Sequence, residues 1–171
     1  MAKIIKPFLI KNKKFFDDRG FFQELFLQKQ LRVKINFTAV AFSKKNVIRG
    51  FHMQLKNKQT KIISVVQGKI LDVVINLKKN SKDFGKIYYF LLNEGDSIYI
   101  PSHFAHGYEC VSKNSTILYH LDNYRDPKNE YGIRYNDQTL KIKWKTNKPI
   151  LSKRDKNHET FLHFKNKFIG L

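Results

Sequence analysis

The sequence predicts an all-β protein, an antiparallel sandwich or barrel such as a jelly roll. Short runs rich in valine, isoleucine and aromatic residues recur through the middle of the chain, and turn-forming residues separate them. A helical period is almost absent from this region. Short strands at this spacing are typical of sandwiches and barrels. With 171 residues and no internal repeat, the chain is expected to form a single domain, residues 1–171, large enough to bury a full core.

An interrupted strand is predicted over residues 47–53. Its valine, isoleucine, phenylalanine and methionine favour a buried strand, but Arg49, Gly50 and His52 interrupt the apolar run. Glycine lets another group approach the backbone closely, and histidine can act as a base near neutral pH. Packing alone does not require these three residues, so the strand is predicted to carry functional groups. The alternative for His52 is an ordinary hydrogen-bonded core histidine.

Three β-hairpins and a terminal helix are predicted further along the chain. The hairpins comprise residues 62–66 and 70–77 around Gln67-Gly68, residues 87–92 and 97–100 around residues 93–96, and residues 107–111 and 116–121 around Lys113-Asn114. A short helix is predicted within residues 158–168, where Phe161, Leu162, Phe164 and Phe168 recur at close to helical spacing.

The chain is strongly basic, with 33 lysines and arginines against 14 acidic residues and a formal net charge of +19. The lysines are scattered and do not form one stripe, which favours a solvated basic surface over a nucleic-acid interface. No nucleic-acid partner is therefore expected. The same charge would attract a polyanionic small molecule such as a nucleotide diphosphate.

Cysteine content and the amino-terminal segment predict a soluble, cytoplasmic protein. Cys110 is the only cysteine, so no internal disulfide can form, which fits a reducing compartment. Lys11 ends the apolar group at residues 7–10 before a signal peptide or a membrane span is reached. No membrane insertion is expected.

Four polar residues lie in or beside apolar strands and could carry chemistry: His52, Lys61, His106 and Tyr119. If these strands line the mouth of a jelly roll, their inward side chains converge on one cavity. A base, a cation and a phenol suit proton removal next to a carbonyl, because the reaction needs a base, a group that stabilises the enolate oxygen, and an acid. The structural alternatives are a surface lysine for Lys61 and a core aromatic for Tyr119.

The pair His103 and His106 raises the question of a metal site. Residues at i and i+3 of a strand point to opposite faces, so joint ligation would need a loop. A closely spaced His-x-His followed by a downstream glutamate is also missing. The sequence therefore predicts no metal.

Several linked motifs occur in one order along the chain. They are residues 18–24 (DRGFFQE), 49–54 (RGFHMQ), 67–68 (QG) with Asp72, 81–85 (SKDFG), 100–101 (IP) with 104–107 (FAHG), 130–133 (EYGI), 136–137 (ND) and 151–155 (LSKRD). Their order resembles that of the dTDP-4-dehydrorhamnose 3,5-epimerases, over about residues 5 to 160.

The resemblance implies a dimeric, metal-free and cofactor-independent jelly roll of the cupin type (double-stranded β-helix), with a short helical carboxyl-terminal segment. Such enzymes invert C3 and C5 of a nucleotide-linked 4-keto-6-deoxy sugar. By motif, His52 would be the general base, Asp155 its buried partner, Lys61 the enolate-stabilising group and Tyr119 the acid. Substrate contacts would come from these residues: Arg19, Glu24, Arg49 as the pyrophosphate anchor, His106, Glu130 and Arg154.

The chain departs from the family where thymine is recognised. Thymidine-specific members carry a glutamine and an asparagine on the strand before the arginine, where this chain has Ala39 and Ala41. They also place a stacking tyrosine where this chain has Arg125, before Asp126-Pro127. A guanidinium can meet the O6 and N7 acceptors of guanine. Arg125 is thus predicted to bind a guanine base.

The sequence therefore predicts a carbohydrate epimerase acting on a GDP-linked 4-keto heptose or hexose, in a pathway to a capsular polysaccharide, lipopolysaccharide or other surface polysaccharide. The first alternative is the thymidine-linked substrate of the rhamnose pathway, and inversion at C3 alone is another. The non-enzymatic alternative is a cupin that only binds sugar nucleotides. A homodimer is expected in each enzymatic case.

Overall fold

The computed structural model describes residues 6–31 and 33–168. Its strands are β1 (Phe8–Ile10), β2 (Lys13–Asp17), β3 (Gly20–Glu24), β4 (Phe37–Lys44), β5 (Ile48–Gln54), β6 (Lys61–Asn76), β7 (Ile87–Asn93), β8 (Ser97–Ile100), β9 (Phe104–Leu121) and β10 (Glu130–Gly132). The helices are short: α1 (Gln28–Leu31), α2 (Lys153–Lys156), α3 (Phe161–Lys167) and a 3₁₀ helix at Pro127–Asn129. In the described residues, no helix is long and apolar enough to cross a membrane.

Two long strands, β6 and β9, organise the fold. They pair antiparallel from Lys61 opposite Leu121 to Asn76 opposite Phe104, and bulges near Gln67 and Gly68 bend the ladder. On one side of the bend β8 and β4 flank them, with β1 beyond β8. On the other side β7 and β5 flank them, with β10 beyond β5. The bend folds one ladder into the two layers of an antiparallel jelly roll, as the sequence predicts.

The predicted hairpins at residues 67–68 and 113–114 are wrong. At both places the chain continues as one strand. β6 and β9 stay paired through this region, with Gly68 opposite Ser115, and bend together. Gly68 has a φ of +80°, and a Cβ there would overlap the Asn114 carbonyl. The glycine that indicates a turn in the sequence here permits a bulge and close contact between the strands.

The turn at residues 93–96 does form, but it does not close a hairpin. The amide of Asp96 donates to the carbonyl of Asn93 at 3.0 Å. The strands on either side, β7 and β8, each pair with a different half of β6 and not with each other. This turn therefore carries the chain from one layer to the other.

The core lies between the layers, and each layer is also covered on its outer face. Val74 belongs to the cluster between the layers, whereas its neighbour Val73 packs with Phe161 and Phe164. Burial on both faces explains the unbroken apolar run in the second half of β6. The predicted helix is confirmed as α3, which begins after the Thr160 cap, and its two buried phenylalanines cover this outer face.

The strands β2 and β3 form a separate antiparallel pair. Four phenylalanines on it are between 52% and 74% exposed: Phe15, Phe16, Phe21 and Phe22. An apolar group of this size on one hairpin is typical of a contact surface.

Candidate active site

A cavity of about 340 Å³ opens at the end of the jelly roll where β4, β5, β6 and β9 meet. Nine of the predicted site residues line it: Arg49, His52, Lys61, His106, Tyr119, Arg125, Glu130, Arg154 and Asp155. Its volume lies in the range of small-molecule sites, which is roughly 300–1,000 Å³. The structure thus brings together residues that are spread over more than half of the sequence.

Strand alternation explains which side chains reach the cavity. On β4, Phe37, Ala39 and Ala41 share one face, and on β9 Tyr119 and Leu121 do the same. Successive side chains of a strand point to opposite faces, so a period of two residues selects the lining. Sequence patterns define this period within a strand but do not show which face meets the cavity.

His52 and Asp155 form a hydrogen-bonded pair at the cavity wall. His52 Nε2 lies 2.8 Å from Asp155 Oδ1, and the two side chains are 32% and 5% exposed. Burial tends to raise the pKa of Asp155, but the hydrogen bond and charge of His52 outweigh it, and the net pKa is lowered. An ionised carboxylate only accepts hydrogen bonds, so Nε2 carries the proton and Nδ1 remains available as a base.

Asp155 owes its position to the local structure of α2. The backbone N–H of Asp155 donates to the side chain of Ser152, which caps the helix, at 3.0 Å. The amide of Gly50 approaches the other carboxylate oxygen of Asp155 at 3.5 Å. Two ordered backbone segments therefore aim this carboxylate at His52.

A second histidine–carboxylate pair lies deeper in the fold. His106 Nε2 is 2.6 Å from Asp72 Oδ2, and the two side chains are 4% and 0% exposed. The His106 ring also meets the Tyr119 ring edge-on, with centroids 5.9 Å apart. Asp72 therefore fixes the orientation of a histidine that packs directly against the predicted acid.

Lys61 is buried at the start of β6. Its ammonium donates to the Gln59 carbonyl at 3.3 Å, and the residue is only 6% exposed. Burial lowers its pKa to about 8, against the opposing attraction of Asp122 and Glu130. A cation with few hydrogen bonds inside a cavity can stabilise a developing oxyanion at short range.

Tyr119 is held as a neutral phenol. Burial raises its pKa well above the ordinary value, and the nearby Tyr108 and Asp72 act in the same direction. A phenol that keeps its proton at neutral pH can serve as the acid in a proton transfer.

Cationic groups surround the cavity mouth. Arg49 donates to the Ser43 hydroxyl at 3.0 Å and to the Phe42 carbonyl at 2.9 Å, so its guanidinium is held in place. Glu130 binds two further arginines, Arg125 at 3.0 Å and Arg154 at 3.1 Å. Guanidinium groups in a fixed orientation suit a diphosphate.

Arg19 and Glu24 do not reach the cavity of their own chain. Arg19 lies in the exposed turn between β2 and β3 and pairs with Asp17 at 2.6 Å. Glu24 lines a separate shallow depression beside α1. Within one chain the structure therefore separates these two predicted substrate contacts from the other nine.

Sequence reasoning missed four contributors to the site. Asp72 belongs to one of the sequence motifs and has no predicted role there, although a lone carboxylate inside a valine and isoleucine run indicates a buried partner. His158 packs edge-on against His52 with ring centroids 5.2 Å apart. Phe37 lines the cavity and stacks on Tyr124, with centroids 5.8 Å apart and ring planes 10° apart. No local signal identifies the last three.

Comparison with known proteins gives a consistent result. The sequence model of the dTDP-4-dehydrorhamnose 3,5-epimerase family matches residues 2–163. The dTDP-4-dehydrorhamnose 3,5-epimerase of Shigella flexneri is 34% identical over 163 residues, 90% of either chain. The crystal structure of the Bacillus anthracis epimerase with TDP and pyrophosphate bound has a TM-score of 0.86 at 32% identity, covering 90% of this chain and 93% of that one.

A further solved structure carries a sugar nucleotide. The Legionella pneumophila dTDP-6-deoxy-D-glucose-3,5-epimerase in complex with dTDP-4-keto-L-rhamnose has a TM-score of 0.87 at 28% identity. The match covers 99% of this chain and 92% of that one. Fold and sequence thus agree over nearly the whole length.

The cupin-type jelly roll and its cavity define a carbohydrate epimerase of the isomerase class. The chain belongs to the dTDP-4-dehydrorhamnose 3,5-epimerase family. The predicted family, fold class and enzyme class are therefore confirmed.

The lowered pKa of Lys61 predicts a specific dependence of stability on pH. Below about pH 8 the buried lysine is charged in both states, and its burial opposes folding in full. Between about pH 8 and the ordinary lysine pKa of 10.5 the unfolded chain binds more protons, so this opposition disappears as the pH rises. Lys61→Met should therefore stabilise the protein at pH 7, and the gain should shrink towards pH 10.5. Urea unfolding of the variant and the wild type across this pH range measures the difference in their free energies of unfolding.

Lys56→Met, at an exposed position of the neighbouring loop, serves as the matched control. It should show no such pH dependence relative to the wild type. A gain for Lys61→Met that stays constant with pH would contradict the lowered pKa.

Proposed function

We propose that the protein inverts C3 and C5 of a thymidine-diphosphate-linked 4-keto-6-deoxy hexose. The observation that carries this proposal is the convergence of the His52–Asp155 pair, buried Lys61 and neutral Tyr119 on one cavity. The relatives support the substrate class, since the matched solved structures contain TDP or dTDP-4-keto-L-rhamnose. Such a sugar nucleotide is a precursor for surface polysaccharide.

The proposed reaction is a pair of proton transfers at each carbon. Nδ1 of His52 takes the proton from the carbon next to the 4-keto group, and the C–H electron pair forms an enolate. The Lys61 ammonium stabilises the enolate oxygen. Loss of a comparable donor in other enzymes raises the barrier by roughly 3–4 kcal/mol. The Tyr119 phenol returns a proton to the opposite face, which inverts the carbon and restores the ketone.

The arginines at the cavity mouth are proposed to hold the diphosphate. Arg49 is fixed by Ser43, which in turn contacts the Tyr108 hydroxyl at 2.8 Å. Arg154 lies across the cavity mouth on α2. The net charge of +19 would assist capture of the dianionic diphosphate at low ionic strength.

The part of the cavity lined by Phe37, Ala39, Ala41 and Arg125, where the nucleobase would bind, favours thymidine in one respect and guanosine in another. Phe37, backed by Tyr124, offers an aromatic face that the sequence alone did not indicate. Arg125 already contacts Glu130, which limits its capacity to meet guanine with two parallel bonds. Ala39 and Ala41 line the cavity without amide groups, and this observation keeps a GDP-linked 4-keto sugar as the second candidate.

Arg19 and Glu24 join the site only if a second copy supplies them, so we include a homodimer in the proposal. The β2–β3 hairpin carries both residues beside its four exposed phenylalanines. Docking this hairpin on a partner chain would bury the phenylalanines and extend the substrate site. A monomer in sedimentation experiments at assay concentration would contradict the dimer.

The division of labour between base and partner predicts unequal losses. His52→Asn removes the base and should lower turnover by about a hundredfold or more. Asp155→Asn keeps a hydrogen-bonding group of the same size but removes the charge, so its loss should be smaller yet clear. The rate at which each variant turns over purified dTDP-4-keto-6-deoxyglucose, compared with the wild type, measures the two losses. His163→Asn, on the exposed face of α3, should behave as wild type. Normal turnover in folded His52→Asn would refute the assignment.

Solvent exchange separates the acid from the base and C3 from C5. In deuterated water, the wild type should label both carbons, whereas inversion at C3 alone would label only C3. Tyr119→Phe removes the phenolic proton, so deprotonation by His52 should continue while inversion falls. NMR of the recovered sugar should then show deuterium without a changed configuration. If exchange and inversion disappear together while substrate still binds, the phenol is not merely the acid.

Nucleotide affinity decides between the two candidate substrates. We expect calorimetric titration to show tighter binding of dTDP than of GDP. Phe37→Ala should weaken dTDP binding by about 1–3 kcal/mol, as loss of a base stack does elsewhere. Tighter binding of GDP, with the preference lost in Arg125→Ala but kept in Lys128→Ala, would instead establish the guanosine-linked substrate.

A further inference from the structure

His158 is a buried histidine for which the proposed reaction has no use. Its side chain is 8% exposed, and within the described part of the chain neither ring nitrogen has a hydrogen-bond partner. Buried polar atoms are nearly always paired, because an unpaired one loses its hydration without compensation. A ligand bonded to one of these ring nitrogens would replace the hydration that the nitrogen has lost, so His158 marks a candidate binding position.

The neighbours of His158 are the two residues of the catalytic pair. His158 Nε2 lies 3.8 Å from Asp155 Oδ1, and the imidazole stands edge-on to that of His52. One ligand atom from each of His52, Asp155 and His158 falls within 4.8 Å of the other two. Among the described residues, this is the cluster of histidine and carboxylate groups with spacing that suits a metal ion.

We propose that His52, Asp155 and His158 form a binding site for a divalent transition-metal ion, with Zn²⁺ as the preferred ion, and that the bound ion inhibits the enzyme. Two imidazoles and a carboxylate are a donor set that zinc accepts, leaving one coordination position for water. The ion is an inhibitor and not a cofactor of the proposed reaction.

The three ligand atoms would have to rearrange, and the pair between the two imidazoles, at most 4.8 Å apart, would shorten by up to about 1.4 Å. Zinc bonds of about 2.0–2.2 Å in tetrahedral geometry place ligand atoms about 3.4 Å apart. The His52–Asp155 distance of 2.8 Å would widen and the His158–Asp155 distance of 3.8 Å would shorten, each by about half an ångström. Side-chain rotation of Asp155 on the short helix α2, of His158 in the segment that follows it and of the partly exposed His52 can supply changes of this size.

The tautomer of His52 explains why the ion would inhibit. Without metal, Nε2 carries the proton and donates a hydrogen bond to Asp155, and Nδ1 is the free base. A metal bound at Nε2 needs the lone pair of that nitrogen, so the proton of the neutral ring moves to Nδ1. The base is then lost although the cavity itself stays open.

Titration of the purified, metal-free protein with ZnCl₂ tests the site. Calorimetry should show one tightly bound equivalent that EDTA removes. His158→Asn should bind Zn²⁺ about tenfold or more weakly, since even the loss of an outer partner of a metal ligand costs about 10–100-fold in affinity. His163→Asn is the matched control, because His163 faces Glu159 at the same 3.8 Å but on an exposed surface. It should bind Zn²⁺ as the wild type does.

Co²⁺ titration of the wild type keeps the test valid if His158→Asn does not fold. A four-coordinate site with imidazole ligands gives strong visible absorption, whereas Co²⁺ in octahedral surface sites absorbs weakly. Absence of zinc binding, equal binding by folded His158→Asn, loss of binding in His163→Asn, or weak octahedral absorption would each overturn the proposal.

Zinc should also lower turnover of the wild type, and EDTA should restore it. This activity measurement rests on the proposed epimerase function, whereas calorimetry and Co²⁺ absorption do not. If the protein binds zinc through His158 but shows no epimerase activity, the proposed function fails and the metal site stands. If epimerase activity is normal and zinc neither binds nor inhibits, the metal site fails alone.

Discussion

The antiparallel pairing of β6 with β9 extends along both strands, and the position of the active site follows from it. Lys61 and Tyr119 lie at one end of this ladder, opposite Leu121 and Ile63 respectively. Asp72 and His106 lie beyond the bend, and their side chains meet although they are 34 positions apart in the sequence. A shift of one residue in this register would turn every alternate side chain to the other face. The bulges at the bend therefore determine which polar groups enter the cavity.

Two histidine–carboxylate pairs, each with a buried carboxylate, bring polar groups to the cavity. Moving a carboxylate out of water costs several kcal/mol unless partners satisfy it. Asp155 meets this cost with His52 and the Gly50 amide. Asp72 is bonded to His106 through Oδ2, and its Oδ1 has no hydrogen-bond partner among the described residues. Removal of a histidine leaves a buried carboxylate without its partner, so these two pairs also contribute to the stability of the fold. The same surroundings keep Tyr119 neutral and lower the pKa of Lys61, both through burial.

The residues that would meet the nucleotide base differ between the sequence pattern and the three-dimensional structure. Ala39 and Ala41 remove the amides expected of a thymidine site, and Arg125 replaces an expected tyrosine. In three dimensions, Phe37 and Tyr124 stack beside these positions and supply an aromatic surface from other places in the chain. Two of the solved relatives contain TDP or dTDP-4-keto-L-rhamnose, and the proposed thymidine-linked substrate differs from the GDP-linked sugar that the motif differences predict.

The sequence by itself determined the strand composition, the family and the set of reactive residue types, because these depend on local period and on motifs that keep their order. It also predicted α3 from apolar spacing. Only the tertiary structure decided that β6 and β9 are continuous, since a glycine before a turn and a glycine in a bulge look alike locally. The contact between His52 and Asp155 joins residues 103 positions apart, and no local pattern contains such a distance. The same reason explains why the sequence does not predict the position of His158 and why Arg19 and Glu24 lie outside their own chain's cavity: long-range packing, and not local propensity, sets these positions.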